Sequence, residues 1–388
     1  MISVAAAKKI IADNILILPV INLPLQDTLQ MLLSEDVYSA VDVPAFSQSS
    51  MDGYAFAYAD WQSKKKLLID GEMQAGSKTA FSLQAGQAVR IFTGAPLPAG
   101  ADTIIMQEKV SLIDKELIIN DESLEKGNSV RSKGSAIKKG ELALSKNSLL
   151  SPGAIGFLAG MGISEVPVFV RPVVSIIVTG KELQQPGMPL AYGEVYESNS
   201  FALKAVLKQL QINDVKLYSA DDDPEEIKQV LIKALAGSDM VLLTGGVSVG
   251  DYDFVVQAAE ACGVTKLFHK IKQRPGKPLY FGKKESKLIF GLPGNPSSVL
   301  TCFYEYVLPA LRNDLMVLNV PLGKYFQKTT GLTHFLKGWY DGKTVTPLDA
   351  QESYRMSSFA VANCLIKVDE ETTICKEGEL TEVHLLSF

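Results

Sequence analysis

Apolar positions change their period several times along this 388-residue chain, and the changes mark out its elements. Over residues 3–31 the spacing is helical through Ala6, Ile10 and Ile11, and over 28–34 Leu29, Leu32 and Leu33 recur at helical intervals. Pro19 and Pro24 break these short helices. From Val43 to about Leu144, short runs such as 88–92, 103–107 and 116–119 are separated by Gly, Pro, Asn and Asp, the texture of a β-rich domain. A helix is then predicted from Pro152, with Ser151 as its cap and Gly160 or Gly162 near its end. Its position beyond the β block suggests that it packs back on the N-terminal helices, making the block an insertion.

Residues 173–311 alternate as a parallel α/β sheet does. Strands 173–178, 215–218 and 240–243 precede helices 200–210, 224–235 and 254–261. Near-continuous apolar strands are expected where helices cover both faces of a sheet, and ligands collect at the carboxyl ends of such strands. From about residue 316 the chain returns to short strands and turns, which fit a small β-barrel or sandwich. The predicted plan is multi-domain α/β plus β. A split helical domain (1–42 plus 140–170) carries an inserted β-rich domain (43–139), followed by a three-layer α/β domain (171–314) and a C-terminal β-barrel (315–388).

Composition narrows the function. With 47% hydrophobic and 21% charged residues the chain has ample apolar surface for several cores. A net charge of -5 argues against a nucleic-acid partner, so any bound anion must be met by local cations or backbone amides. The N-terminus lacks a secretory pattern, and the apolar stretch 149–170 is interrupted by prolines, glycines and Glu165, so no membrane span and a cytoplasmic location are expected. Cys262, Cys302, Cys364 and Cys375 have no paired short spacing, and His269, His334 and His384 are scattered singly. Any metal that takes part should be a hard cation on carboxylates.

Four strings in the α/β segment carry candidate chemistry. Thr244-Gly-Gly-Val-Ser-Val-Gly-Asp-Tyr-Asp253 follows a buried strand and precedes a helix. Gly245 and Gly246 let backbone N–H groups approach an anion, Ser248 adds a hydroxyl, and Asp251 and Asp253 either cap the helix or hold a divalent cation. His269-Lys-Ile-Lys-Gln-Arg-Pro-Gly-Lys-Pro278 gathers Lys270, Lys272, Arg274 and Lys277, which form either an oxyanion seat or a solvated basic loop. Phe290-Gly-Leu-Pro-Gly-Asn-Pro-Ser-Ser298 reads as a capped helix start, with Asn295 as N-cap and Pro296 in the first turn, or as another wall of the same pocket. Glu182, Asn199 and the run Asp221-Asp-Asp-Pro224 are also placed at strand ends, where Asp222 or Asp223 could be a plain cap. Acids beside lysines suit an anion pocket only if Mg²⁺ lies between them and phosphate. In the β block, Met51-Asp-Gly-Tyr54 reads locally as a turn with an aromatic, and neither Asp52 nor Thr93 has an evident local task.

Taken in order, Met51-Asp-Gly-Tyr, Thr93-Gly-Ala, Gly245-Gly-Val-Ser-Val-Gly, Pro275-Gly-Lys and Leu292-Pro-Gly-Asn-Pro closely resemble the molybdopterin molybdenumtransferase family, called MoeA in bacteria and the E domain in gephyrin. The resemblance spans essentially the whole chain. It implies that the α/β domain binds molybdopterin, and that adenylylated molybdopterin and molybdate yield molybdenum cofactor and AMP with Mg²⁺ assisting. It also implies a homodimer whose cleft joins Asp52 and Thr93 of one subunit to the α/β domain of the other. A transient contact with a molybdopterin adenylyltransferase would deliver the substrate. Carried over residue by residue, the resemblance places Glu182, Asp222, Asp253, Lys270, Arg274, Lys277, Pro293 and Pro296 around the ligand. Gly245, Gly246, Ser248, Asn199, Gly294, Asn295, Ser297, Lys337 and Ser353 join them as binding residues, with Asp222, Asp253 and Glu182 toward the metal.

The chain departs from the family at Lys181, where an acid is common, at Arg274 for lysine, at Ser135-Ala136 in place of an acidic residue, and at Lys337 for arginine. The competing readings are a molybdopterin adenylyltransferase and a gephyrin-like scaffold without catalysis.

Overall fold

The computed structural model describes residues 1–247, 254–311 and 315–386, in two compact units, 20–169 and 1–19 with 170–388. In the larger unit a six-stranded sheet runs in the spatial order Val215–Ala220, Val174–Thr179, Met240–Thr244, Lys287–Leu292, Tyr280–Lys284, Thr265–His269. The first four strands are parallel, as expected. The last two are not: Tyr280–Lys284 runs antiparallel to both neighbours. Only two residues link it to Lys287–Leu292, too few for the crossover that a parallel pair requires. Two reversals leave Thr265–His269 pointing the same way as the parallel four.

Side-chain alternation sends Val174, Ile176 and Val178 to one face and Ile177 to the other. The first face is covered by helices Asn199–Gln209 and Pro296–Cys302, and the second by Pro224–Ala236 and Phe254–Ala261. The helix Val4–Ala12, capped by Ser3, was expected in a helical domain with residues 140–170. It instead buries Val4, Ala7 and Ile11 in the α/β core, so residues 1–19 belong to this unit. The C-terminal strands form a second sheet, in the order Gln273–Arg274, Thr333–Tyr340, Cys364–Val368, Leu380–Leu385, Val317–Pro321.

The smaller unit holds the β-rich block as a six-stranded sheet with an apolar cluster on either face. A third cluster joins Leu25, Met31 and Leu33 to Leu150, Leu158 and Val168. The helix Pro152–Gly160 forms with Ser151 as its cap. The helix expected over 28–34 does not. Leu32 and Leu33 bridge to Leu149 and Val168, and Gln30 takes a positive φ, so pairing with distant segments overrides local helical spacing.

A buried ionic cluster ties the N-terminal helix, the α/β core and the C-terminal sheet of the larger unit together. Pro296–Cys302 continues through a wide π turn, Phe303–Val307, where Glu305 is fully buried. Its carboxylate lies 2.6 Å from Lys8 Nζ and 2.6 Å from His384 Nδ1, and His384 Nε2 lies 2.9 Å from Glu382. Burial alone would raise the Glu305 pKa, but Lys8 and His384 outweigh it and hold it below 4.5. A depressed carboxyl contributes stability above its unfolded value and loses it as pH falls through the folded one. Glu305→Ala is expected to cost about 3–5 kcal/mol at pH 7 in denaturant unfolding, by leaving the Lys8 ammonium uncompensated and the buried His384 ring without its partner. The gap to wild type should narrow below pH 4.5.

Candidate functional site

Segments leaving the five like-directed strands line one cavity of about 1120 Å³, together with Leu332 and residues 351–354 from the C-terminal sheet region. The chain passes from Val174–Thr179 outward to Val215–Ala220 and then back across to Met240–Thr244. The gap between the first and third of these strands is therefore the switch point, where α/β sheets open a crevice. Gly245 makes that crevice. A β-carbon there would lie 2.6 Å from Thr179 O and 2.7 Å from its Oγ1, and the backbone has φ +87°. Only glycine lets the two strand ends close together at the cavity wall.

Two neighbouring aspartates divide the work at the next loop. Asp223 Oδ1 accepts from the amides of Glu225 and Glu226 and caps Pro224–Ala236, which leaves Asp222 to line the cavity beside Glu182. Burial first, and then the Glu182 charge, raise the Asp222 carboxyl above its usual range; the Thr179 hydroxyl and Lys181 pull the other way. Lys181, one of the residues at which the chain departs from the pattern it resembles, thus partly compensates an acid pair. Asn199 donates to Gly294 O at 2.9 Å, while its Oδ1 and the Thr244 Oγ1 have no hydrogen-bond partner among the described residues. Buried polar atoms left unpaired in a cavity wall await a ligand or water.

The basic turn is held from beneath. Gln273, 1% exposed, donates its amide to Pro275 O at 3.0 Å and Gly276 O at 3.2 Å, and its own carbonyl receives the Tyr306 hydroxyl. This fixes the loop from which Arg274 and Lys277 line the cavity. Sequence reasoning missed Gln273; a lone amide amid cations was the available signal.

Gly245, Gly246, Pro293, Gly294, Asn295, Pro296 and Ser353 also line the cavity as expected. Asn295 stands at the N-cap position without capping, because its side chain donates to Ser353 Oγ at 3.0 Å. Ser297 is a correction: its side chain is fully buried away from the cavity, and Ser298 lines it instead. Lys270 is another, being absent from the described lining of the cavity. Ser248, Asp251 and Asp253 lie outside the described residues.

Lys337 is the largest correction. It is 2% exposed, and its ammonium donates to Ala350 O (2.9 Å), Glu352 O (3.3 Å) and Arg355 O (3.1 Å). Three N–H donors thus meet three carbonyls, and the side chain shapes the 350–355 loop rather than touching ligand.

In the smaller unit, Asp52 and Thr93 have the local task that the sequence hid. Asp52 Oδ1 accepts from both the amide and the hydroxyl of Thr93 at 2.8 Å, which with nearby Arg90 keeps the carboxyl below its usual range. Arg90 packs over Tyr54 and Phe92. Gly53 is required by pairing, since a β-carbon would fall 1.9 Å from Ile105 O. All four cysteines are free, buried thiols.

Replacing Lys337 by methionine keeps the stem and removes all three bonds. Lys337→Met is expected to lose about 3 kcal/mol in denaturant unfolding, whereas a ligand-contacting lysine on the surface would lose almost none.

The comparisons with known proteins cover the chain from end to end. Residues 2–162 match the model for the MoeA N-terminal region (domain I and II), 175–313 that for a probable molybdopterin binding domain, and 319–386 that for the MoeA C-terminal region (domain IV). A molybdopterin molybdenumtransferase of Haemophilus influenzae is 33% identical over 387 residues, covering 94% of each chain. One from Staphylococcus aureus strain Mu50 is 31% identical over 385 residues, covering 95% of this chain and 91% of its own. A crystal structure of a molybdopterin biosynthesis MoeA protein from Pyrococcus horikoshii OT3 superposes with a TM-score of 0.85 at 28% identity, covering 99% of this chain and all of that one. With strand-end turns, acid pair and basic turn meeting in one cavity, and its whole length matched, this chain belongs to the MoeA family of molybdopterin molybdenumtransferases.

Proposed function

We propose that the cavity inserts molybdenum from molybdate into adenylylated molybdopterin, releasing AMP. The observation that carries this reading is the union of two carboxylates, Glu182 and Asp222, with Arg274, Lys277 and the glycine turn around one cavity. A substrate with a terminal phosphate and a phosphoanhydride needs both signs of charge. Amides of Gly245 and Gly246 and the start of helix Pro296–Cys302 suit the terminal phosphate. Arg274 and Lys277 suit the oxometallate and offset charge that develops as the anhydride breaks. The dithiolene sulfurs belong to the substrate, in keeping with four buried thiols.

Mg²⁺ fits this donor set as a cofactor. It binds through one or two carboxylates with substrate phosphates completing its shell, and the raised Asp222 carboxyl marks an acid pair that Lys181 compensates only in part. Glu182 and Asp222 would hold the ion, which would supply charge neutralisation at the pyrophosphate.

Purified protein with adenylylated molybdopterin, molybdate and Mg²⁺ is expected to release AMP and reconstitute an apo-molybdoenzyme, with chelation abolishing AMP release. Conversion of ATP and metal-free molybdopterin into the adenylylated compound would assign the protein instead to the preceding adenylyltransferase step.

The reading includes a homodimer in which Asp52 and Thr93 of one copy serve the cavity of the other, and a cytoplasmic setting. Among the described residues no helix is long and apolar enough to cross a membrane. Asp52→Ala and Asp222→Asn proteins, each inactive alone, are expected to recover about a quarter of wild-type activity when unfolded, mixed in equal amounts and refolded. Half the dimers are then mixed, and each has one intact cleft if cleft sharing holds. Continued inactivity of the refolded mixture would count against shared clefts.

A further inference from the structure

Behind the basic turn lies a second cavity, of about 420 Å³, and Arg274, Pro275 and Gln351 belong to the walls of both. Its position follows from strand pairing. Gln273–Arg274 runs parallel to Thr333–Tyr340 with Arg274 opposite His334, and directly paired residues project from the same face. Gln273 points the other way, toward Tyr306. Lys328 enters from beyond the short strand Phe326–Gln327; it is 8% exposed and donates to Leu332 O at 2.9 Å and Glu370 O at 3.2 Å. Two of its three ammonium donors are therefore engaged. Gln351 is fully used by Lys337 and Leu348 and acts only as wall.

No carboxylate stands among the described lining residues. The acids nearest Lys328 are Asp369, Glu370 and Glu371; Asp369 is paired with Lys367 and Glu370 with Lys272. His334 is held neutral. Burial, and then the charges of Lys328 and Arg274, push its pKa down to about 4. Two cations, an imidazole and the Thr329 hydroxyl thus enclose space with no carboxylate in its described walls, the acids that act on Lys328 standing outside them, the reverse of the main cavity with its acid pair.

We propose that this cavity is a separate oxyanion site that holds a tetrahedral dianion, molybdate, against Arg274 on the side away from the main cavity. The identity of the anion rests on the transferase reading above; the anion site itself does not. Arg274 has donors enough to face both cavities with its planar fork, so it can hold the incoming oxometallate apart from the acid pair while the pterin substrate binds.

The test uses the full chain and its three imidazoles as reporters. Without added oxyanion, His334 should stay neutral between pH 5 and 7.5 by NMR. Sulfate, a tetrahedral dianion throughout that range, should raise its pKa by about one unit or more, while chloride at equal ionic strength should not. At pH 7, molybdate should perturb the His334 resonances at lower concentration than sulfate or phosphate. In steady-state assays Lys328→Met and His334→Gln should each raise the KM for molybdate about tenfold with kcat and the KM for the pterin unchanged, and Lys328→Arg should restore it. A His334 unmoved by any oxyanion, stronger binding of sulfate or phosphate than of molybdate, or an unaltered molybdate KM in both variants would overturn the proposal. Protein that shows the His334 shift but releases no AMP would overturn the transferase reading while upholding the anion site.

Discussion

The close passage of Gly245 against Thr179 governs the larger unit's chemistry. Where two parallel strands end side by side and their chains depart in opposite directions, the backbone must turn at once, and here no room remains for a β-carbon. Every other wall of the main cavity is arranged about that seam. Asp222 is freed by its capping neighbour, and Asn199 reaches Gly294 O from the start of helix Asn199–Gln209. A side chain at 245 would force apart the two strand ends on which the acid pair and the amide turn depend.

Much of the rest is organised by buried donors whose hydrogen bonds go to the protein's own loops. A turn rich in proline and glycine leaves carbonyls pointing inward, and each needs a partner. Gln273 serves the basic turn and Lys337 the 350–355 loop, one with an amide and the other with a full charge. The two supports differ in consequence. An amide adds no field, whereas the Lys337 ammonium lays a fixed positive charge under a loop whose Ser353 meets Asn295 at the helix start.

The parts legible in sequence were those with local causes. Strand and helix alternation across the α/β segment appears within a residue or two of its expected bounds, and the glycine, basic and proline strings converge because each follows a strand end. Other features depended on distant partners. Lys337 looked like an anion ligand because its three acceptors lie 13 to 18 residues away and nothing in its own strand announces them. Ser297 and Ser298 are adjacent and alike, and only the rotation of the helix start decides which one faces the cavity. Leu32 and Leu33 were read as helical because three- and four-residue spacing ignores the segments near 149 and 168 that claim their backbone. The reversed strand Tyr280–Lys284 was within reach, since a two-residue link admits no crossover.

The π turn at Phe303–Val307 places two successive residues in two different services. Glu305 receives Lys8 and His384, while Tyr306 steadies Gln273 beneath the basic turn. The seating of the C-terminal sheet and the shape of an anion-binding loop therefore share one stretch of helix. A hybrid protein that borrows this sheet from a distant relative would have to import a suitable partner at 384 along with it, or see the loop of Arg274 retuned by a graft made far from it in sequence.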